Sequence, residues 1–161
     1  KERLMSYKLA VVGSRVWTGR KGQVWRSSIT NPEQYAFKKL DAYVAKHGMP
    51  NEIISGGAKG ADTFAENWAK AKGFKKDNPG KNLKIFKPDG PESSKVLMNE
   101  GYIPALFYRN KLIAKRAASD PKGKVYAFWD KKSKGTEDTL KFARDDLKMG
   151  STRVHYNYVG D

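Results

Sequence analysis

The sequence has no cysteine, which excludes disulfide frameworks, thiolate metal sites and cysteine nucleophiles. Histidine is almost as scarce. His47 and His155 are the whole supply and lie far apart in sequence, so no metal site is expected and a Ser-His-Asp triad would need one of them. No apolar run approaches the roughly 18 residues of a membrane span, so no membrane partner is expected. Lys1 to Met5 is too short and polar to open a secretory signal, and a reducing, cytoplasmic setting is the expectation. Acidic residues are few: 17 Asp and Glu stand against 32 Lys and Arg, leaving a net charge of +15. That excess predicts attraction to phosphate, whether in nucleotides or in nucleic acid. A solvated lysine surface accounts for much of it.

What is present is the material of a folded domain. The chain has 161 residues, of which 39% are hydrophobic and 12% aromatic, too apolar for a disordered tail. Lys8 to Gly13 (KLAVVG) reads as a buried parallel strand. Ser14 to Thr30 is long for a strand-to-helix turn and reads as a functional loop or lid. Asn31-Pro32 opens a helix that His47-Gly48 closes, with Tyr35, Leu40, Tyr43 and Val44 on its apolar face. Glu52 to Ser55 is a second strand. A helix with Ala61, Phe64, Ala65, Trp68 and Ala69 at helical spacing follows it and stops at Gly73. Leu83 to Phe86 and Lys124 to Trp129 read as further strands. Helices are expected near Ile103 to Ala118 and from Thr136 to Met149, and Arg153 to Tyr158 as an edge strand. Strands alternating with helices predict an α/β fold with a mainly parallel sheet of about five strands. No repeat or linker divides the chain, so residues 1–161 read as one domain with its core at about 8–158.

Ligands in such folds gather at the carboxyl ends of the strands, near a topological switch. The strongest signal there is Ser55-Gly56-Gly57-Ala58-Lys59-Gly60-Ala61-Asp62. Its glycines permit close backbone approach, and a helix N-terminus with successive N–H groups makes an anion nest. Lys59 adds a cation at the rim. Neither a Walker A loop nor GxGxxG spacing is present, and a plain glycine turn is the bland alternative. Asp62 suits either the helix dipole or a ribose hydroxyl. The second signal is Ser133-Lys134-Gly135-Thr136, again before a helix, where Thr136 can cap the helix or meet a phosphate oxygen. Glu137 and Asp138 follow in its first turn. The third is Arg109-Asn110, an arginine suited to bidentate phosphate contact, although pattern alone slightly favours a surface residue. Trp17 and Trp129 lie near strand ends, where a base could stack on them, although buried tryptophans are commoner.

Taken together, VVGSRVW (Val11 to Trp17), ISGGAKGAD (Ile54 to Asp62), YRNKLI (Tyr108 to Ile113) and AFWDKKSKGTEDTLKFA (Ala127 to Ala143) resemble, in order, the motifs of the SLOG superfamily. The similarity is to its YspA-like, YpsA-related branch and spans about residues 8 to 146. It implies a Rossmann-like three-layer αβα sandwich with a pocket for nucleotide-derived ligands. Carried over by position, the pocket is lined by Gly13, Ser14, Arg15, Gly56, Gly57, Asp62, Arg109, Asn110, Gly135 and Thr136. Related LOG phosphoribohydrolases cleave nucleoside-monophosphate N-glycosidic bonds, and the related DprA proteins bind single-stranded DNA. The LOG pattern PGGxGTxxE is degenerate here, with Thr139 standing at the position of its glutamate.

Three functions follow as expectations. The first is a sensor or sequestering module for a nucleotide-derived small molecule, with no cofactor. Its ligand-binding set is Gly13, Ser14, Arg15, Trp17, Ser55, Gly56, Gly57, Lys59, Gly60, Asp62, Asn110, Lys134, Gly135 and Thr136. The second is an N-glycosidic hydrolase acting through Glu137 or Asp138 beside Arg109. The third is a nucleic-acid-binding protein that uses the basic and aromatic residues Trp17, Arg20, Lys21, Trp25 and Arg26 on a single strand. A homo-oligomer is compatible with all three.

Overall fold

The structure, a computed structural model, describes residues 6–16, 24–58 and 60–161. Its elements, in order, are β1 (Lys8–Gly13), α1 (Pro32–His47), β2 (Glu52–Ser55), α2 (Ala61–Ala71), β3 (Asn82–Ile85), α3 (Ser94–Glu100), α4 (Tyr102–Ala118), β4 (Lys124–Trp129), α5 (Lys134–Lys141) and β5 (Val154–Tyr158). The five strands form one sheet in the order β3-β2-β1-β4-β5, and every neighbouring pair is parallel. This is the Rossmann-like α/β sandwich expected from the sequence. The chain winds outward from β1 to β3, then returns to β4 on the other side of β1. Right-handed crossovers running in two opposite directions put their helices on opposite faces of the sheet.

The strand sequences fit that placement. Leu9 and Val11 of β1 join Tyr126 and Phe128 of β4 on one face, under α1 and α2. Ala10 and Val12 join Val125 and Ala127 on the other, against α4 and α5. The two layers use different materials. The first is aromatic: Trp25 is fully buried and stacks on Phe128 at 5.5 Å. The second is built of small residues, with Ala105, Ala114 and Ala117 bringing α4 close to the sheet. Each large apolar side chain fully buried here contributes roughly 1.5–3 kcal/mol.

Several boundaries differ from expectation for visible reasons. The sequence reading has no element between Phe86 and Ile103, but Ser94–Glu100 forms α3, and Gly101 at φ 97° turns the chain into α4. The last helix is interrupted, because Phe142–Asp146 is a π-helical turn closed by the Leu147 N–H on the Phe142 carbonyl at 2.9 Å. The end of the Ser14 to Thr30 loop is anchored in the core. Trp25 donates its indole N–H to the Ser14 carbonyl at 3.1 Å, and Val24 N–H bonds the Val16 carbonyl. The two histidines, distant in sequence, stack at 5.4 Å, and Tyr43 Oη lies 2.7 Å from His155 Nδ1. Among the described residues, no helix is long and apolar enough to cross a membrane and no group of side chains forms a metal-ligand cluster.

Candidate functional site

A parallel strand delivers its following loop at its carboxyl end, and β1 and β4 lie side by side where the winding reverses. Their two loops therefore part and leave a crevice. Here the crevice is a cavity of about 560 Å³. Its floor is Val12 and Gly13 of β1 with Ser14 just after it. The other walls come from Ala58 and Asp62, the first three turns of α4 and residues between Asp130 and Thr139.

The two loops are tied together by one carboxylate. Asp130, immediately after β4, accepts from Ser14 Oγ at 3.1 Å and from the N–H groups of Lys132 and Ser133 at 2.9 and 2.8 Å. Its own N–H bonds Ser14 Oγ. Burial opposes ionisation of Asp130, but these N–H groups and the Ser133 and Ser14 hydroxyls outweigh it and hold its pKa below the usual value. Asp130 thus shapes the turn that presents Gly135 and Thr136. Thr136 is 6% exposed, and its hydroxyl has no partner among the described residues. The neighbouring Thr139 hydroxyl is engaged on the Gly135 carbonyl at 2.9 Å.

Arg109 sits on the buried side of α4, in line with Ala105 and Ile113. It is 6% exposed, so the surface reading of this residue gives way to a position in the cavity wall. The guanidinium donates to the carbonyls of Gly56 and Phe86 and, through Nε, to Asn110 Oδ1 at 2.9 Å. Those acceptors are neutral, and no described carboxylate forms an ion pair with it. Asp62, in the first turn of α2, is the nearest acidic neighbour. A Cβ placed on Gly56 would lie 2.6 Å from Arg109 Nη1 and 2.9 Å from Asp62 Oδ2, so the two groups flank that glycine. Burial pushes the Asp62 carboxyl up to about 7, against the opposing pull of Arg109 and the Ala58 N–H, and Glu66 adds to the rise. A buried arginine beside a carboxyl that resists ionisation leaves local positive charge facing the cavity.

The residues singled out in the sequence divide cleanly. Gly13, Ser14, Arg15, Asp62, Arg109, Asn110, Gly135 and Thr136 line the cavity. Ser55, Gly56, Gly57 and Gly60 build its support instead. Ser55 Oγ donates to Glu66 Oε2 at 2.7 Å, and Gly60, at φ 91°, lets the turn pass within van der Waals contact of Arg15 and Val16. Lys134, Glu137 and Asp138 lie at the start of α5 and do not line the cavity. Trp17 and Lys59, with Arg20 and Lys21, fall outside the described residues. Trp129 donates to the Ser133 carbonyl and packs on Tyr156, away from the cavity.

Sequence reasoning gave no part in the site to Asp130 and Lys132, although their position just after β4 was a usable signal, and named Ser133 and Thr139 only as members of motifs. It also missed the apolar wall of Tyr102, Ile103, Leu106 and Phe107. That wall carries no motif, since it arises from the angle at which α4 enters after Gly101.

A parallel sheet ordered 3-2-1-4-5 with a ligand-sized crevice at its switch point defines a Rossmann-like α/β protein. Comparison with known families agrees. Residues 7–78 match the model of the YAcAr family, described as the YspA, cpYpsA-related SLOG family. The SLOG resemblance is thereby borne out over the stretch that carries β1, the glycine turn and α2, and it points to a nucleotide-related Rossmann-like protein. The α4 wall and the Ser133–Thr136 turn lie beyond the matched residues. Neither the curated proteins nor the solved structures compared with this chain gave a match.

Proposed function

We propose that the protein binds a nucleotide or nucleotide-derived molecule in the crevice between β1 and β4, as a sensor or sequestering module. The observation that carries this reading is the unpaired buried cation in the cavity wall. A guanidinium held away from water and without a carboxylate partner is costly unless an anion completes it. A ligand phosphate near Arg109 supplies that anion. Thr136 offers a free hydroxyl, and the N-terminus of α5 adds favourable dipole. The preceding turns of the same helix, through Tyr102, Ile103, Leu106 and Phe107, offer apolar surface of the kind a base covers. A cavity that offers both an anion-seeking guanidinium and apolar surface fits a nucleotide better than inorganic phosphate or a lipid.

Thermal denaturation against a panel of nucleoside mono- and diphosphates and their derivatives tests this. At about 100 times its dissociation constant a ligand adds roughly 2.7 kcal/mol of stability. For a chain of this size that corresponds to about 5–10 °C. Thr136→Val keeps the side-chain shape and removes the free hydroxyl, so it is expected to weaken binding while leaving the unliganded protein as stable as before. No shift with any nucleotide would refute the proposal. An undiminished shift in both Thr136→Val and Asn110→Ala would refute the site.

A further inference from the structure

The crevice uses only a few of the cations. The densest cluster of the remainder lies at the other edge of the sheet. Between Lys70 and Lys87 there are seven lysines and a single acidic residue, Asp77. Two of the seven are paired: Lys72 with Asp41 at 3.2 Å and Lys84 with Glu92 at 2.8 Å. Lys81 is held on the Lys72 carbonyl. Lys70, Lys75, Lys76 and Lys87 are exposed and form no ion pair with any described residue. Lys70 lies in the last turn of α2, Lys75 and Lys76 in the turn before β3, and Lys87 just after that edge strand. Lys87 packs against Gly57, with its Cγ 3.0 Å from where a Cβ would stand.

Lysines on an edge strand discourage unwanted strand pairing. That role does not account for this cluster, because the lysine within β3, Lys84, is already paired and the four free ones lie outside the strand. A membrane surface is also a poor fit. None of the exposed large apolar side chains falls between Lys70 and Lys87, so nothing there can enter the acyl boundary. Phe74 and Phe86 are buried, 2% and 6% exposed, and offer no stacking platform. What remains is charge alone, on four exposed lysines in the segments that flank one edge strand, which suits a chain of phosphates read without regard to sequence.

We infer that the β3 edge, through Lys70, Lys75, Lys76 and Lys87, is a docking surface for the backbone of a single-stranded nucleic acid, with one end of the strand lying toward the crevice. The last clause rests on the nucleotide reading of the crevice; the lysine cluster itself does not. A single strand can bend from the edge onto the glycine turn, whereas a duplex is stiff over about 50 nm.

The test is fluorescence anisotropy with a labelled oligothymidylate of about 12 nucleotides, titrated between about 50 and 200 mM salt. Four phosphate contacts at about 0.7 per contact give a log–log salt slope near −2.8, or about a 50-fold loss of affinity across that range. In Lys75→Ala/Lys76→Ala/Lys87→Ala the slope is expected to fall to about −0.7, about a 3-fold loss, with the melting temperature unchanged. Absence of binding at the lowest salt overturns the inference, as does an unaltered slope in the variant. So does capture by phosphatidylserine vesicles without oligonucleotide binding. Strand binding by a protein that takes no mononucleotide supports the lysine cluster and sinks the crevice reading. Mononucleotide binding without strand binding does the reverse.

Discussion

Replacing Asp62 by asparagine should stabilise the protein at high pH and not at low pH. Burial raises the Asp62 pKa from an ordinary 3.8 to about 7 in the folded chain. Between those values the folded state binds a proton that the unfolded state does not, so this group's contribution to stability falls as pH rises. The contribution is fully present below the unfolded pKa and is lost as pH passes through the folded one. A displacement of about 3 units corresponds to at most about 4 kcal/mol above neutral pH. The asparagine side chain would be neutral at every pH and would retain an acceptor for the Ala58 N–H, now bonded to Asp62 Oδ2 at 3.1 Å. Its amide N–H₂ needs a new partner, a cost of about 1 kcal/mol. The expected net gain for Asp62→Asn is therefore up to about 3 kcal/mol at pH 8, falling to zero or slightly below near pH 4. Urea unfolding followed by tryptophan fluorescence reads this directly, because Trp25 and Trp68 are both buried. Taking the difference between variant and parent at each pH cancels the titration of all other groups. A difference that does not change with pH, or a variant less stable than the parent at pH 8, would refute the reasoning.

Two glycines that line the same crevice should behave oppositely. A Cβ on Gly13 would meet the Phe128 carbonyl at 2.5 Å and the Ala61 Cβ at 2.7 Å, whereas on Gly135 its nearest neighbour is Asn110 Nδ2 at 3.6 Å. Gly13→Ala is expected to cost about 1–3 kcal/mol in thermal or urea unfolding, and Gly135→Ala to change stability by less than about 0.5 kcal/mol; equal effects would sink this distinction. The two histidines should both titrate below 6.5 by NMR. Burial lowers each, and Lys46 and Lys124 lower both further, while their mutual contact adds to the shift of His47. Their stabilisation is complete above the unfolded value of 6.5 and is lost as pH falls from there through the lowered folded pKa. A midpoint at or above 6.5 for either one contradicts the stacked arrangement.

Much of the fold was legible because local pattern and global architecture agree. KLAVVG and KVYAFW are apolar after their first lysine, as strands buried on both faces must be, and both are central neighbours in the sheet. Asn31-Pro32 starts α1 as its cap chemistry requires, with Asn31 Oδ1 accepting from the Gln34 N–H at 3.0 Å. Less legible were α3 and the π-helical turn, neither of which has a side-chain cap to announce it. In the site, the glycine turn was visible as a motif, but motif alone could not separate supporting residues from lining ones. Ser55 turns toward Glu66, while Arg109, which alone reads as a surface residue, turns inward.

By itself the sequence determined the class of fold, the presence of glycine-containing turns at the strand ends and a net charge of +15. These follow from periodicity, turn chemistry and charge, all of which are local or additive. Only the tertiary structure decided which groups meet. It set Asp130 between Ser14 and the α5 turn, placed Asp62 and Arg109 on either side of Gly56, brought His47 onto His155 and divided the cations between a cavity wall and a sheet edge. Those outcomes depend on which strands are neighbours and at what angle α4 approaches, and no short stretch of sequence encodes either.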